Sequence, residues 1–309
     1  TTPQDRLAAL EEMLSTIPKH KGTEKMQADL KRRIARLRGE MQKRRGAARG
    51  KPFYHVDKEG AGQLVLVGAP NSGKSALLRA LTNAEPEVAD YPFTTRAPLP
   101  GMMDYENVQI QRVDLPPLDA QQAEGWLYGI IRTADGVLLV VDLADDGVLE
   151  RTEEVLRLLR EAKIELRAGA GRRAAGEGPR QTRALIVGAK LDARGAGERL
   201  AIFREFVGDR LPVVPVSAEA GTGLDALREA AFRLLDVIRV YSKPPGKTAD
   251  FSAPFILERG ATVLDAAEAV HKDFVEKLRY ARLWGRTSQG QMVGRDHALE
   301  DGDVLEIHA

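Results

Sequence analysis

The 309-residue sequence contains no cysteine, few aromatic residues and no long apolar run. The absence of cysteine excludes disulfide bonds, thiol nucleophiles and cysteine-ligated metals, and it fits a reducing compartment. Because aromatics make up only 5% of the chain, the core must consist mainly of Ala, Leu, Val and Ile. No segment approaches the roughly 20 apolar residues that span a bilayer, and the first residues lack the apolar centre of a signal peptide. We therefore expect a cytoplasmic protein without a membrane partner.

The formal net charge is only +1, but residues 1–51 are basic, with 14 Lys and Arg against 6 Asp and Glu. Within this segment apolar residues recur at three- and four-residue spacing: Met26, Leu30, Ile34, Leu37 and Met41. Pro18 and Gly22 separate two such runs, so the segment predicts a basic helical hairpin. Its charged side is either a solvated helix surface or a surface that binds ribosomal RNA phosphates.

From Gln63 onward, apolar strands alternate with amphipathic helices. The predicted strands are 63–68, 107–114, 136–143, 183–190 and 212–218, and the predicted helices are 73–83, 149–163, 197–207 and 223–238. Strands that are apolar along nearly their whole length are typical of a parallel sheet covered by helices on both faces. The sequence therefore predicts an α/β domain over residues 52–243.

The Pro-rich stretch SKPPGK (242–247) marks a second boundary. Beyond it the pattern predicts a helix that begins near Thr262 and strands at 254–258, 279–285, 290–293 and 303–308. This order indicates a small mixed α+β domain over residues 244–309. Tyr280 and Trp284 are expected on one face of a strand, where they either pack in the core or stack on RNA bases.

A phosphate-binding loop is the clearest motif in the chain. GAPNSGKS (68–75) matches G-x-x-x-x-G-K-[ST], and it follows a strand and opens a helix, which is the context that the motif requires. The loop backbone and the helix N-terminus can surround phosphates, and a lysine supplies positive charge. The residues expected to bind nucleotide here are Asn71, Ser72, Gly73, Lys74, Ser75 and Ala76.

Two further segments follow in the order that a guanine-nucleotide switch requires. YPFTTRAPLPG (91–101) offers Thr95, and the strand end VDLPP offers Asp114. Together with the hydroxyl of Ser75, Thr95 and Asp114 are the candidate groups around Mg²⁺. The sequence does not indicate which residue is catalytic.

Two later segments supply candidate base contacts. In AKLD (189–192), Asp192 can accept hydrogen bonds from guanine N1–H and the exocyclic amine, a pair that adenine cannot make. The stem of Lys190 would cover the base. In VSAEAG (216–221), Ser217 and Ala218 follow the next strand, and the Ala218 N–H could reach guanine O6. The sequence thus predicts GTP and GDP as ligands, with an ATP-binding relative as the alternative.

At this point the sequence resembles the Obg-related GTPases, and most nearly the developmentally regulated GTP-binding protein family. The resemblance is carried by APNSGKSALLRALTNAEPEVADYPFTTRAPLPG, by IRTADGVLLVVD (131–142), and by a C-terminal stretch that is similar to a TGS domain and includes RYARLWG and VGRDHALEDGDV. It implies a P-loop NTPase with a Ras-like G domain, a mostly parallel sheet and a C-terminal β-grasp (TGS) domain. It also implies a ribosome- or RNA-associated switch, with contacts through the basic helices and the TGS domain and with a regulatory protein as a further candidate partner.

The chain also departs from that family's pattern. Ala189 stands where the family has Asn, Pro117 stands where it has a switch Gly, and residues 164–183 replace an inserted domain. Proline has no N–H to offer a γ-phosphate, and Leu118, at the usual glutamine position, cannot orient water. We therefore expect slow intrinsic hydrolysis, with a nucleotide-binding adaptor that does not hydrolyse GTP as the alternative. Asn71 either helps to bind K⁺, as in related GTPases, or only stabilises the turn.

Overall fold

The computed structural model describes residues 56–82, 98–120, 124–169, 179–286 and 288–308. The predicted N-terminal hairpin (1–51) and Thr95 lie outside these ranges. Val56–Ala309 form one structural unit, within which the described residues build two sheets. No helix in the described ranges is both long enough and apolar enough to cross a membrane.

The first sheet contains seven strands within the described ranges, in the order β2-β3-β1-β4-β6-β5, with β7 also paired to β6. All of its pairs are parallel except β2 with β3. The strands are β1 (Gln63–Val67), β2 (Leu99–Tyr105), β3 (Val108–Asp114), β4 (Gly136–Asp142), β5 (Ile164–Arg167), β6 (Arg180–Ala189) and β7 (Val213–Pro215). The mostly parallel sheet predicted from the apolar strands is confirmed.

Five helices accompany this sheet in the described ranges: α1 (Lys74–Leu81), α2 (Gly125–Thr133), α3 (Val148–Glu161), α4 (Ala196–Val207) and α5 (Leu224–Leu235). All five residues of β1 are buried, and β4 is buried up to Val141. Buried leucines of α1 and α5, such as Leu77 and Leu227, join Leu66 and Val187 in one core cluster. Strands covered on both faces need an apolar residue at nearly every position, which is why their sequences do not alternate.

Parallel pairing brings the ends of several strands to one edge of the sheet. β1, β3, β4, β6 and β7 all point their carboxyl ends the same way, because each lies in the parallel part of the sheet. The segments that follow them include the phosphate loop and the two base-contact motifs. In open parallel sheets this edge is where ligands bind.

Some elements differ from the sequence prediction. The helix predicted to reach residue 238 ends at Leu235, because Asp236 adopts a left-handed conformation with φ 57°. Residues 237–242, counted with the α/β domain from the sequence, instead form a strand of the second sheet. The apolar residues of LLDVIRV fit both the spacing of a helix and that of a strand, so the pattern alone could not show where the helix ends and the strand begins. β2, α2 and β5 were not predicted.

The second sheet has the order β11-β10-β12-β8-β9. Its strands are β8 (Val237–Ser242), β9 (Phe255–Glu258), β10 (Tyr280–Trp284), β11 (Gln289–Val293) and β12 (Asp303–His308), and its helices are α6 (Val263–Val270) and α7 (Lys272–Lys277). Thr262 caps α6 through a capping box with Asp265, as the predicted helix start near Thr262 requires. The predicted small α+β domain is confirmed.

Tyr280 and Trp284 lie on the face of β10 that is opposite the core. Ala281 and Leu283 are the buried residues of this strand and belong to the core cluster of the second sheet. The Tyr280 ring stacks on His308 with centroids 4.5 Å apart. The Lys243 Nζ lies 4.4 Å from the centroid of the Trp284 ring, so both rings are half-buried beside basic side chains on the outer face.

Arg239 of β8 connects the two sheets. Its guanidinium makes two hydrogen bonds to the Asp301 carboxylate and also contacts Glu106 in the turn between β2 and β3. Asn107 in the same turn donates a 2.6 Å hydrogen bond to the Tyr241 hydroxyl. The C-terminal sheet is therefore fastened to the end of the β2–β3 hairpin that is farthest from Asp114.

Candidate functional site

The loop between β1 and α1 has a backbone that only certain residues allow. Gly73 has φ 96°, and Asn71 has φ 60°, in the left-handed region that glycine and asparagine tolerate best. A Cβ at Gly68 would lie 2.4 Å from the Val140 carbonyl oxygen, so no larger residue fits there. The two invariant glycine positions of the motif are thus each required by a separate physical constraint.

Lys74 folds back over this loop. Its Nζ donates hydrogen bonds to the Ala69 oxygen at 3.0 Å and the Gly68 oxygen at 3.2 Å, and it lies 3.4 Å from the Ser72 hydroxyl. Burial lowers the pKa of Lys74, whereas the nearby Asp114 carboxylate acts to raise it. A buried ammonium group held by two carbonyl oxygens and one hydroxyl is well placed to bind an anionic group that enters the loop.

Ser75 and Asp114 meet beside the loop. The Ser75 hydroxyl donates a 2.6 Å hydrogen bond to Asp114 Oδ2. The other carboxylate oxygen, Oδ1, is buried and has no hydrogen-bond partner among the described residues. Burial raises the pKa of Asp114, and the Ser75 hydrogen bond and the Lys74 charge oppose that rise. A hydroxyl and a carboxylate with an unsatisfied oxygen fit a hard divalent cation such as Mg²⁺.

The chain after Asp114 is tied to the phosphate loop. The Leu118 N–H donates a 3.1 Å hydrogen bond to the Gly68 carbonyl, and the Leu118 side chain is buried together with that of Leu115. Pro117 has no N–H. The backbone at these two successive positions therefore offers no free N–H group: one donor is absent and the other is already paired.

The residues predicted to contact the base lie at the ends of β6 and β7. Lys190 follows β6 with φ 60°, and its Nζ contacts both the Asp142 carboxylate at 2.6 Å and the Asn71 carbonyl at 3.0 Å. A hydrogen bond from Ser217 lowers the pKa of the exposed Asp192, so this carboxyl is charged at neutral pH. Ser217 is itself buried, and its hydroxyl accepts from the Ala220 N–H.

The structure brings the two base-contact segments together. The Leu191 N–H donates to the Val216 oxygen at 3.0 Å, which joins the turn that carries Asp192 to the strand end that precedes Ser217 and Ala218. Lys190 joins the same turn to Asn71 of the phosphate loop. Ala76 is exposed in the first turn of α1, beside Ser75. Apart from Thr95, which lies outside the described residues, the predicted residues therefore gather at one edge of the sheet.

Two features of this edge were missed from the sequence. One is Asp142, the residue that pairs with Lys190, and the other is the hydrogen bond from Leu118 to Gly68. An Asp at the end of a buried strand, as in GVLLVVD, was the available signal for the first. Nothing in the sequence marks the second, because it is made by backbone atoms.

Two family models match the chain. A model described as a 50S ribosome-binding GTPase matches residues 63–168, and the TGS domain model matches residues 238–309. With the fold described above, they define the class as a P-loop GTPase followed by a TGS domain. The TGS match begins within β8, in agreement with the pairing of β8 in the second sheet.

The curated relatives give the family. An uncharacterized GTP-binding protein of Methanocaldococcus jannaschii is 34% identical over 98% of this chain and 92% of its own length. Developmentally-regulated GTP-binding protein 1 of Xenopus laevis is 29% identical over 98% of each chain. This chain belongs to the developmentally regulated GTP-binding protein family of Obg-related GTPases, as the sequence resemblance indicated.

Two solved structures share the fold. A GTP-binding protein from Pyrococcus horikoshii superposes with a TM-score of 0.53 and 19% identity, over 80% of this chain and 99% of that one. The YchF GTPase of Schizosaccharomyces pombe gives a TM-score of 0.54 and 12% identity, over 83% of this chain and 100% of that one. At these identities the similarity extends to the fold alone.

Proposed function

We propose that this protein binds GTP and GDP at the carboxyl edge of its parallel sheet, hydrolyses GTP slowly, and acts as a switch on the ribosome or its RNA. The observation that carries the nucleotide site is the meeting of three groups at one edge. These are the phosphate loop with Lys74, the Ser75–Asp114 pair, and the turn that holds Lys190 and Asp192.

In this proposal the phosphates lie in the loop. The N–H groups of Asn71, Ser72, Gly73 and Ala76 would donate to an anion at the start of α1, where the helix dipole adds favourable potential. Lys74 exchanges its carbonyl partners for phosphate oxygens. Ser75 and Asp114 would hold Mg²⁺, which supplies charge neutralisation next to the phosphates. Thr95 is expected to join them from the segment before β2.

The guanine base lies against the second group of residues. Asp192 accepts from the two donors on the base edge, and its low pKa keeps it an acceptor at neutral pH. The Ala218 N–H, next to the buried Ser217, donates to the base oxygen, and the stem of Lys190 covers the ring. A site with a fixed carboxylate at this place favours GTP over ATP, since adenine presents no matching pair of donors.

Replacing Pro117 by glycine is expected to raise the preference for GTP over GDP. Glycine restores an N–H beside the γ-phosphate, and a hydrogen bond to a charged oxygen contributes about 1.5–3 kcal/mol, or roughly tenfold or more in relative affinity. Calorimetric titration with GDP and a non-hydrolysable GTP analogue measures the ratio, and phosphate release measures the accompanying gain in hydrolysis.

Pro116→Gly is the matched control for that experiment. It also frees the backbone of one proline, but it restores an N–H one residue before the switch position. Equal effects of the two variants would mean that backbone stiffness, rather than the missing donor at Pro117, limits the switch. No change in either the affinity ratio or the rate would contradict our account of slow hydrolysis.

The ribosomal part of the proposal has two supports. The GTPase family model that matches residues 63–168 carries a 50S ribosome-binding description, and residues 1–51 are strongly basic. The outer face of β10 adds half-buried aromatic rings and the exposed Arg282. Such a combination of cations and stacking surfaces is typical of RNA-binding proteins. A ribosome-bound role corresponds to a cytoplasmic location.

Co-sedimentation with ribosomes, with phosphate release measured on the same samples, tests this role. We expect pelleting that depends on GTP and weakens as salt is raised, because phosphate contacts release counterions. Release should be faster with ribosomes, and faster in KCl than in NaCl if Asn71 helps to hold K⁺. Pelleting without phosphate release favours the adaptor alternative. Equal absence of pelleting with GTP, with GDP and without nucleotide would remove the ribosomal role.

A further inference from the structure

Lys190 forms a bridge between three separate parts of the site. Its Nζ lies 3.0 Å from the carbonyl oxygen of Asn71 in the phosphate loop and 2.6 Å from Asp142 Oδ2 at the end of β4. Asp142 and Ala189 are register partners in the parallel pair of β4 and β6. The bridge therefore spans from the phosphate loop, across the end of the sheet, to the turn that carries Asp192.

The Asp142 carboxylate is fixed before any ligand arrives. Its Oδ1 accepts a 2.8 Å hydrogen bond from the Ala144 N–H, which leaves Oδ2 for Lys190. The Asp142 side chain is only 18% exposed, and that of Lys190 is 40% exposed. Because the acid is held by the backbone while the lysine is long and rotatable, the acid sets the position of the ammonium group.

Ala189 offers the phosphate loop nothing but a methyl group. It is buried against Gly73, and a Cβ built on Gly73 would lie 3.5 Å from the Ala189 Cβ. The Ala189 side chain has neither a donor nor an acceptor, so it can make only van der Waals contacts with the loop. A polar side chain at this position would lie within reach of the loop backbone, so Ala189 marks a place where a hydrogen bond between the two loops is missing.

We propose that Asp142 is a positioning residue for nucleotide binding. It holds Lys190 on the phosphate loop, and this ion-paired bridge takes the place of the hydrogen bond that Ala189 cannot make. The inference rests on the proposed nucleotide-binding function. It implies that Asp142 contributes more to nucleotide affinity in this chain than it would in a chain with asparagine at position 189.

A double-mutant cycle with Asp142→Asn and Ala189→Asn tests the proposal. Asp142→Asn keeps an acceptor for the Ala144 N–H but removes the charge that holds Lys190. We expect it to weaken GDP and GTP binding to a similar extent, by about three- to tenfold. Ala189→Asn should improve affinity by about twofold or less alone, and should restore most of the loss in the double variant.

Asp146→Asn is the matched control, because Asp146 is a neighbouring exposed carboxylate that pairs with Arg199 and not with Lys190. It should bind nucleotide like the unmodified protein. The melting temperature of every variant is measured without nucleotide. If Asp142 only stabilised the fold, Asp142→Asn would lower the melting temperature, and Ala189→Asn would not restore the nucleotide affinity.

The outcomes distinguish failure of the positioning role of Asp142 from failure of the proposed nucleotide-binding function. If the unmodified protein binds GDP and GTP but Asp142→Asn does so equally well, the positioning role is refuted and the nucleotide site stands. The same conclusion follows if Ala189→Asn has the same effect with and without Asp142, because independent effects mean that the bridge does not replace the missing bond. If the unmodified protein binds no guanine nucleotide, both the proposed function and this inference fail.

Discussion

Replacing Lys74 by methionine is expected to lower the affinity for GTP on the order of 100-fold. Methionine nearly matches the length of the side chain but removes the charge that would bind the outer phosphate oxygens. Charge-assisted hydrogen bonds contribute about 1.5–3 kcal/mol each, and a phosphate can accept more than one from an ammonium group. Calorimetric titration with GDP and with a non-hydrolysable GTP analogue measures the loss, which should be larger for the triphosphate.

The same substitution should not destabilise the nucleotide-free protein. Burial lowers the pKa of Lys74, which means that its charged form is less stable in the folded protein than in the unfolded chain, so removal of the charge takes away a cost. The gain in stability is complete below the lowered pKa of the folded state and is lost as the pH rises from there to the unfolded pKa of the lysine. Thermal unfolding without nucleotide should give an equal or higher melting temperature, whereas the increase produced by a given concentration of GTP should be much smaller.

Arg79→Met is the matched control for Lys74→Met. Arg79 lies on the same helix, α1, is exposed, and donates a 3.3 Å hydrogen bond to the Ser75 carbonyl oxygen. It should leave GTP affinity within about twofold of the unmodified protein, as expected of a surface position. If Lys74→Met also bound GTP within about threefold of the unmodified protein, the phosphate loop would not be the nucleotide site.

Replacing Asp192 by alanine is expected to abolish the preference for GTP over ATP. The carboxylate is held by a hydrogen bond from Ser217, whose own position is fixed by burial, so it presents two acceptors in a set direction. Loss of both acceptors leaves the guanine donors unpaired, and such mismatches cost at least about 100-fold in sites built around hydrogen bonds. Competition titrations with GTP and ATP should show weaker GTP binding and nearly unchanged ATP binding.

The pH dependence gives a second check on Asp192. Its folded pKa is lowered, so the acceptor form is present above that pKa and is lost only as the pH falls through it. The preference for GTP should therefore be flat through neutral pH and weaken only in acid. Glu198→Ala, at an exposed carboxylate in the first turn of α4, is the control and should not change the preference. Tighter binding of ATP than of GTP by the unmodified protein would instead favour the ATP-binding alternative.

Much of the fold could be predicted because the signals were local. The apolar runs of β1, β4 and β6 have no helical period, and the phosphate loop carries its glycines and lysine at fixed spacing. The predictions failed where local signals were ambiguous or absent. LLDVIRV fits both a helix and a strand, and β2 contains Pro100 and Gly101, which are rare inside strands. Only the pairing of β2 with β3 in space makes β2 a strand.

The candidate site also contains some residues that local sequence signals could predict and others that they could not. Lys74, Ser75 and Asp192 could be chosen from sequence because the chemistry of phosphate and guanine binding demands those residue types at those spacings. Asp142 could not be chosen, because an acid at a strand end has many possible partners. It meets Lys190 across 48 positions of sequence, and that meeting depends on the register between β4 and β6.

The sequence by itself determined that this chain is a P-loop GTPase with a TGS domain, because short contiguous motifs identify both domains. It also showed that Pro117, which has no N–H, stands where the family has a switch glycine. Only the tertiary structure decided that the next donor, the Leu118 N–H, is held by Gly68, and that Lys190 reaches Asn71 across 119 positions. The physical reason is that hydrogen bonds between distant segments depend on how the strands pair, which no single stretch of sequence specifies.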